Sequence, residues 1–192
     1  MSQLILGLVV FLGVHSVRIV ADGWRSAQIA RRGMNAWKGV YSLVSLAGFA
    51  LIVWGYGLAR LQPQPLWAPP RWAPHLSSLL MLFAFILLVA AYVPRNGIKR
   101  WVHHPMLLGV MLWAIAHLLA NGTLADLLLF GSFGVWAVLD FIAARQRDHA
   151  AGDPQLPGTL VGTLIALGVG VAAWALFAFW AHAWLFGVSP MG

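Results

Sequence analysis

Two histidines lie inside long apolar stretches of this sequence, His15 in the first stretch and His117 in the fourth. An ionisable side chain in such a stretch is costly to maintain, so each is a candidate functional group. His117 has Trp113 four residues before it and Asn121 four residues after it. In a helix, this spacing places the three side chains on one stripe. Because neutral imidazole is a common metal ligand, both histidines are candidate ligands.

Charged residues follow His15 at helical spacing. Arg18 and Asp22 come one and two turns later on the same helix face. One interpretation is an ion pair whose side chains reach water at the end of the helix. The other is that the Arg18 guanidinium neutralises a buried anion, such as a haem propionate. For His15, the structural alternative is a hydrogen bond to a neighbouring group inside the bundle.

The elements that must position these residues are membrane helices. Hydrophobic residues make up 61% of the 192 residues, charged residues only 9%, and the mean hydropathy is +0.81. This composition cannot build the surface of a soluble domain. It excludes soluble enzymes, and also nucleic-acid-binding modules despite the net charge of +7. We expect a single domain over residues 1–192, an all-α polytopic membrane bundle of about six transmembrane helices.

Six apolar stretches are predicted to be helical, because lipid offers the backbone no hydrogen-bond partner, and the fourth of them is short for a span. The predicted helices run from Leu4 to Ala21, Val40 to Ala59, Leu76 to Val93, Pro105 to Ala120, Leu124 to Ala144 and Thr159 to Phe186. Residues 62–74, which are rich in proline, are predicted to be extended. The glycines at positions 158, 162, 168 and 170 indicate close helix packing.

The basic residues orient the bundle. The alternate loops 22–39, 94–104 and 145–158 hold nine Lys and Arg residues, whereas the opposite loops hold only Arg60 and Arg71. Lysine and arginine accumulate on the cytoplasmic side of membrane proteins. We therefore expect both termini in the periplasm, and a multi-pass protein of the bacterial inner membrane.

Depth along the membrane brings the two histidines into one hypothesis. His15 lies about twelve residues from the outer surface and His117 about twelve from the inner surface, on antiparallel helices, so both are expected near mid-depth. Two imidazoles at one depth are typical of a b-type haem site. Zinc fits less well because it usually takes four ligands and the chain has no cysteine. The absence of cysteine also excludes disulfides, iron–sulfur clusters and attached haem c.

Several longer motifs resemble the NnrU family of bacterial membrane proteins over essentially the whole chain. The motifs are Phe11-Leu-Gly-Val-His-Ser-Val-Arg18, Tyr41-Ser-Leu-Val-Ser-Leu-Ala-Gly48, Val53-Trp-Gly-Tyr-Gly57, His104-Pro-Met-Leu-Leu-Gly109, Leu112-Trp-Ala-Ile-Ala-His-Leu-Leu-Ala-Asn-Gly122 and His182-Ala-Trp-Leu-Phe-Gly187.

This resemblance implies a function. NnrU-like proteins are associated with denitrification and nitric-oxide reduction, and they are similar to zeta-carotene isomerase, a haem b membrane enzyme that converts a cis double bond of a polyene to trans. It implies haem b on His15 and His117, with His104 and His182 among the cofactor-binding residues beside Arg18, Trp113 and Asn121. The isomerase has Cys-x-x-His where this chain has Ala114 before His117. This difference does not affect the haem ligands that the resemblance implies, but it removes the thiolate on which the isomerase mechanism would rely.

Two other functions stay open. His103-His104-Pro105 and Arg145-Gln-Arg-Asp148 faintly resemble the motifs of membrane methyltransferases that bind S-adenosylmethionine, although the expected tyrosine is missing. A non-enzymatic haem or assembly factor for a respiratory reductase is the third class. The expected partners are thus the lipid bilayer, a hydrophobic polyene or isoprenoid substrate, and a respiratory reductase.

The charge asymmetry makes a direct prediction about topology. A reporter that is active only in the periplasm should be active when it is fused after Gly192, because the nine basic loop residues hold the alternate loops in the cytoplasm. A paired reporter that is active only in the cytoplasm serves as the control. Activity of the cytoplasmic reporter at that position would contradict the predicted orientation.

Overall fold

The chain was analysed as a computed structural model that describes residues 1–152 and 157–190. The described residues form helices joined by short connections, which confirms the all-α prediction. The helices are α1 Ser2–Val20, α2 Asp22–Arg32, α3 Met34–Leu61, α4 Ala73–Tyr92, α5 Gly97–Val102, α6 Pro105–Ala120, α7 Leu124–Ala151, α8 Leu160–Leu176 and α9 His182–Phe186, with a π-helical turn, Phe177–Ala181, between the last two.

Five helical segments of the described chain are long and apolar enough to cross a membrane. They are α1, α3, α4, α7 and the continuous stretch Leu160–Phe186. The sixth predicted span, α6, has the expected bounds but only 16 residues. At 1.5 Å per residue it is about 24 Å long, which is less than the roughly 30 Å of the hydrocarbon layer. The predicted count of six spans is therefore not confirmed.

Helical structure extends further into the basic segments than the hydropathy pattern predicts. Residues 22–32 form α2, which carries Asp22 in its first turn and ends at Gly33, where φ is +84°. α3 then begins at Met34, six residues before the predicted start. α7 continues past the apolar stretch to Ala151. Hydropathy finds only the part of a helix that lipid surrounds, and the polar turns at its ends escape it.

The helices form two pairs on either side of α7. α1 packs along α3, α4 packs along α6, and α7 contacts α1, α3 and α6, while α8 covers α4. The proline-rich segment 62–72 is fastened to the turn between α6 and α7, where the Leu66 N–H donates to the Gly122 carbonyl at 2.7 Å. The side of the bundle where α1 ends and α6 begins is called the basic end. The side where segment 62–72 meets the α6–α7 turn is called the opposite end.

α1 and α3 touch backbone to backbone. A Cβ atom on Gly48 would lie 2.8 Å from the backbone nitrogen of Phe11, and a Cβ on Gly7 would lie 2.6 Å from that of Ile52. Gly55 faces the backbone of Leu4 even more closely. Two helix backbones can approach this closely only where no side chain lies between them. Such close packing stabilises helix pairs in lipid, where no hydrophobic driving force acts between helices.

The glycines predicted for packing near the start of α8 act in part as expected. A Cβ on Gly162 would lie 2.9 Å from two carbonyl oxygens of the α4–α5 connection, and one on Gly170 would lie 2.6 Å from Ile86 Cα. Gly158 packs equally closely against Gly97. Gly168 faces open space, so it contributes nothing to this contact.

The α1–α3 contact predicts opposite effects for two neighbouring substitutions. Gly55→Ala should lower the free energy of unfolding by about 1–3 kcal/mol because its methyl group must displace the α1 backbone. Gly57→Ala on the same helix should raise it by a few tenths to about 1 kcal/mol, because that Cβ enters open space and alanine favours the helix. Thermal unfolding in detergent measures both. Equal shifts in the two variants would contradict the contact.

Candidate functional site

His15 is held in one tautomer by its own helix. Its Nδ1 lies 2.6 Å from the carbonyl oxygen of Phe11. Because a carbonyl only accepts, Nδ1 carries the proton and Nε2 of the neutral ring keeps its lone pair. The ring stacks on Phe11 at 4.1 Å and lies near Tyr41 and Trp136. The hydrogen bond foreseen as the structural alternative is therefore present, and it leaves Nε2 for a ligand.

His117 has the same arrangement on α6. Its Nδ1 lies 2.8 Å from the Trp113 carbonyl oxygen, so its Nε2 also keeps a lone pair. Its ring stacks on Phe130 with centroids 4.5 Å apart. Asn121 donates from its side chain to the His117 carbonyl at 2.9 Å. The structure thus brings the predicted stripe of Trp113, His117 and Asn121 together, and its role in cofactor binding stays a prediction.

Three aromatic residues of α7 form a row between the two histidines, which we call the α7 ring row. Phe130 contacts His117, Phe133 follows one turn later, and Trp136 contacts His15. The six residues from Phe130 to Trp136 rise about 9 Å. Within the part of the chain that the structure describes, no ring contact joins His15 directly to His117. Their ligation of one iron atom stays a prediction.

A cavity of about 730 Å³ opens at the basic end, between α1, α3, α6 and α7. Its wall carries five cationic side chains, three imidazoles and two carboxylates. These are Arg18, Arg25, Lys38, Lys99 and Arg147, then His15, His103 and His104, then Asp140 and Asp148. Cationic groups outnumber carboxylates, so we call it the cationic cavity. It is suited to an anionic ligand.

His104 and His103 share this cavity with His15. The sequence predicts His15 near mid-depth, but in the structure His15 is only five residues from the end of α1 and lines the cavity at the basic end. His104 Nε2 lies 2.9 Å from an Asp148 oxygen that also accepts from Arg145 at 3.4 Å. His103 has φ +63°, which is strained for a non-glycine residue, and its buried Nδ1 has no hydrogen-bond partner within the described chain.

Arg18 lies on the cavity wall but is engaged elsewhere. Its side chain is 59% exposed, and its Nε is 4.0 Å from Asp22. Its carbonyl oxygen accepts from Arg147 at 3.3 Å. The ion pair predicted as an alternative is therefore observed, and pairing of Arg18 with a cofactor anion stays a prediction.

His182 lies at the opposite end, directly after the π-helical turn. Its Nδ1 is 2.7 Å from the Val188 carbonyl oxygen, so it shares the tautomer of the other two helix histidines. Its ring contacts Phe177 and Phe186 at 5.8 and 5.0 Å. The wall of the cationic cavity, traced over the described residues, does not include it.

One buried polar pair is not foreseen from the sequence. Tyr56 donates to Asp126 at 2.5 Å, and Asp126 also accepts from the backbone and hydroxyl of Thr123. Asp126 is only 5% exposed. A carboxylate in the first turn of a helix is favoured by the helix dipole, so the sequence position of Asp126 gives no reason to expect a further partner. No sequence signal indicates Tyr56, which lies 70 residues earlier.

Metal ligation by the protein alone is not seen. Over residues 1–152 and 157–190, no three His, Cys, Asp or Glu residues are placed to hold one metal ion together. Iron in a haem needs only axial ligands from the protein, because the macrocycle supplies the rest.

The fold and the site together define a class. The chain is a multi-pass helical membrane protein with ligand-competent histidines inside its helices and a cationic cavity at one end.

The comparison with known families is consistent with that class. A family model described as NnrU protein matches residues 3–190, which is nearly the whole chain. The protein therefore belongs to the NnrU family, as its motifs indicated. No curated protein and no solved structure matches it.

The Tyr56–Asp126 pair predicts a stability effect. Tyr56→Phe should lower the free energy of unfolding by about 1.5–3 kcal/mol, because it removes a hydrogen bond to a charged, buried group. Tyr92→Phe is the matched control, since Tyr92 is 77% exposed. Thermal unfolding in the same detergent compares them. An effect no larger than that of the control would contradict a role for this pair in joining α3 to α7.

Proposed function

We propose that this NnrU-family protein binds haem b within the bacterial inner membrane, with His15 and His117 as its axial ligands. The observation that carries the proposal is their shared tautomer. Each ring donates Nδ1–H to the carbonyl four residues before it and keeps the Nε2 lone pair. Histidines that ligate metals almost always donate their other ring N–H in this way, which fixes the ring orientation.

The side chains around the histidines offer a free hydrogen-bond donor to a bound group, but they also fill the space between the two rings. The indole nitrogen of Trp136, beside His15, is buried without a hydrogen-bond partner in the described chain. An unsatisfied buried donor requires an explanation, and an acceptor on a bound molecule supplies one. The rings of Phe11 and Trp113 lie along the α7 ring row between the histidines. Binding of one iron atom by both histidines therefore requires these rings to move.

Charge supports the same ligand. Haem b is a flat apolar group that carries two carboxylates, so it suits a site with an apolar interior and a cationic rim. Arg18 lies one turn from His15 towards the cationic cavity. We assign a propionate to Arg18, which would exchange part of its exposed contact with Asp22 for a buried carboxylate. His104 and His182 are second candidates for contacts with the cofactor.

Bound haem would supply a one-electron centre inside the membrane. The protein would contribute two imidazoles and no thiolate, because the chain has no cysteine and has Ala114 one turn before His117. Two histidine ligands favour electron transfer or haem carriage, for instance for a respiratory reductase in denitrification. Isomerisation of a polyene is the enzymatic form of the proposal, and it requires one histidine to release its position for substrate.

A groove beside the cationic cavity supports the enzymatic form of the proposal. A groove of about 520 Å³ lies between α1 and α7, and Trp136 lines both this groove and the cationic cavity. Its walls are mainly apolar, and they include Leu12, Val135 and Leu139. A hydrophobic polyene or isoprenoid could reach the neighbourhood of His15 from the lipid through this groove.

The proposal predicts the spectrum of the purified protein. Wild-type protein expressed with added haem should show a low-spin b-type absorption spectrum. His15→Ala and His117→Ala should each abolish it, because each removes one axial ligand. Arg18→Leu should retain the ligand set but lower the amount of haem that survives purification.

Matched controls separate ligation from general damage. His75→Ala, at an exposed position in α4, should leave the spectrum unchanged. His103→Ala should also leave it unchanged, since that ring is not a proposed ligand. Loss of the spectrum in His103→Ala but not in His117→Ala would move the second ligand to the cationic cavity. A colourless wild-type protein that binds S-adenosylmethionine would replace the haem proposal with the methyltransferase alternative.

A further inference from the structure

The N-terminus of α6 opens into the cationic cavity without a cap. Its first three residues, Pro105, Met106 and Leu107, line the cavity. No side chain caps this end, and the first turn has no acidic residue. The N–H groups of Met106 and Leu107 have no partner within the helix. The positive end of a 16-residue helix dipole therefore faces the cavity, where the nearby Asp148 carboxylate binds the side chain of His104.

The two lysines of the cavity lack a carboxylate partner in the part of the chain that the structure describes. The Lys99 ammonium donates to the Ala91 carbonyl at 3.2 Å, and neither Lys99 nor Lys38 has a carboxylate partner among the described residues. The two cavity carboxylates are already engaged. Asp140 pairs with Arg147 at 3.4 Å, and Asp148 pairs with His104 at 2.9 Å. Two lysines and a helix N-terminus thus line one cavity, and the two carboxylates of its wall pair with other groups.

The wall of the cavity also has an apolar part beside these positive groups. Val14 and Val17 of α1, Leu107 of α6 and Trp136 of α7 line it beside the charged groups. A small inorganic anion would use only the rim. A molecule with an anionic head and a hydrocarbon chain would use both parts, and the bilayer around the protein supplies such molecules.

We propose that the cationic cavity binds the phosphate group of an anionic membrane lipid, with Lys38, Lys99 and the α6 N-terminus around the phosphate and the lipid chain along the apolar wall. Helix N-termini bind phosphate through free N–H groups and the dipole. Clusters of basic residues at the membrane surface add electrostatic attraction for anionic lipids. Lys38, Lys99 and the α6 N-terminus are neither the proposed axial ligands nor the proposed propionate partner, although the same cavity also contains His15 and Arg18.

Native mass spectrometry of the purified full chain tests the proposal with two probes, phosphatidylglycerol and phosphatidylcholine. Wild-type protein should retain phosphatidylglycerol in preference to the zwitterionic lipid. Lys38→Gln and Lys99→Gln should each weaken phosphatidylglycerol binding about fivefold, and the double variant about 25-fold, since each lysine adds a similar attraction. Lys38→Arg should keep binding, because it keeps the charge. Arg71→Gln, which changes an exposed cation at the opposite end, should have no effect.

Three outcomes would overturn the proposal. The first is a double variant that binds phosphatidylglycerol as wild type does while its circular dichroism and melting temperature are unchanged. The second is competition by inorganic phosphate at the same concentration as the lipid, which would assign the site to a soluble anion. The third is loss of haem, with unchanged lipid binding, in the lysine variants, which would make the cavity a propionate site. A double variant that does not fold leaves Lys38→Gln and Lys38→Arg as the deciding pair.

Discussion

The backbone contact between α1 and α3 is the constraint on which the rest of the bundle depends. Lipid gives two apolar helices little reason to associate, so they hold together through close packing. Gly7, Gly48 and Gly55 remove the side chains that would keep α1 and α3 apart. Once this pair is fixed, His15 must lie beside Tyr41 of α3, and the packing of α7 against α1 adds Trp136. The position of the candidate ligand is therefore a consequence of glycines on two helices.

The second theme is how polar groups are satisfied in an apolar medium. His15 and His117 each donate to the carbonyl four residues earlier in their own helix, and so do Ser16 and Thr163. Asp126 takes three hydrogen bonds from the capping box and Tyr56. These bonds consume one nitrogen of each histidine and leave the other. The requirement that every buried polar group be satisfied therefore also prepares the ligand atoms.

The sequence predicts the helices and their family well, because apolar length and motif are local properties. It also finds His15, His117 and the stripe through Trp113 and Asn121, since helical spacing is local too. It does not find the sharing of one cavity by His15 and His104, because that depends on how helices distant in the sequence pack together. Tyr56, the partner of Asp126, lies 70 residues away in the sequence, and no local pattern indicates that the two are in contact.

The shortness of α6 has a consequence for the membrane itself. A 16-residue helix is about 24 Å long, about 6 Å shorter than the hydrocarbon layer, and its N-terminus opens into the cationic cavity. The imidazoles and lysines on the wall of that cavity attract water. Water that fills this cavity would enter below the headgroups, and the electrically insulating layer would then be thinner at this protein than in the surrounding bilayer. A voltage across the membrane would fall over a shorter distance here, between the floor of the cavity and the far surface.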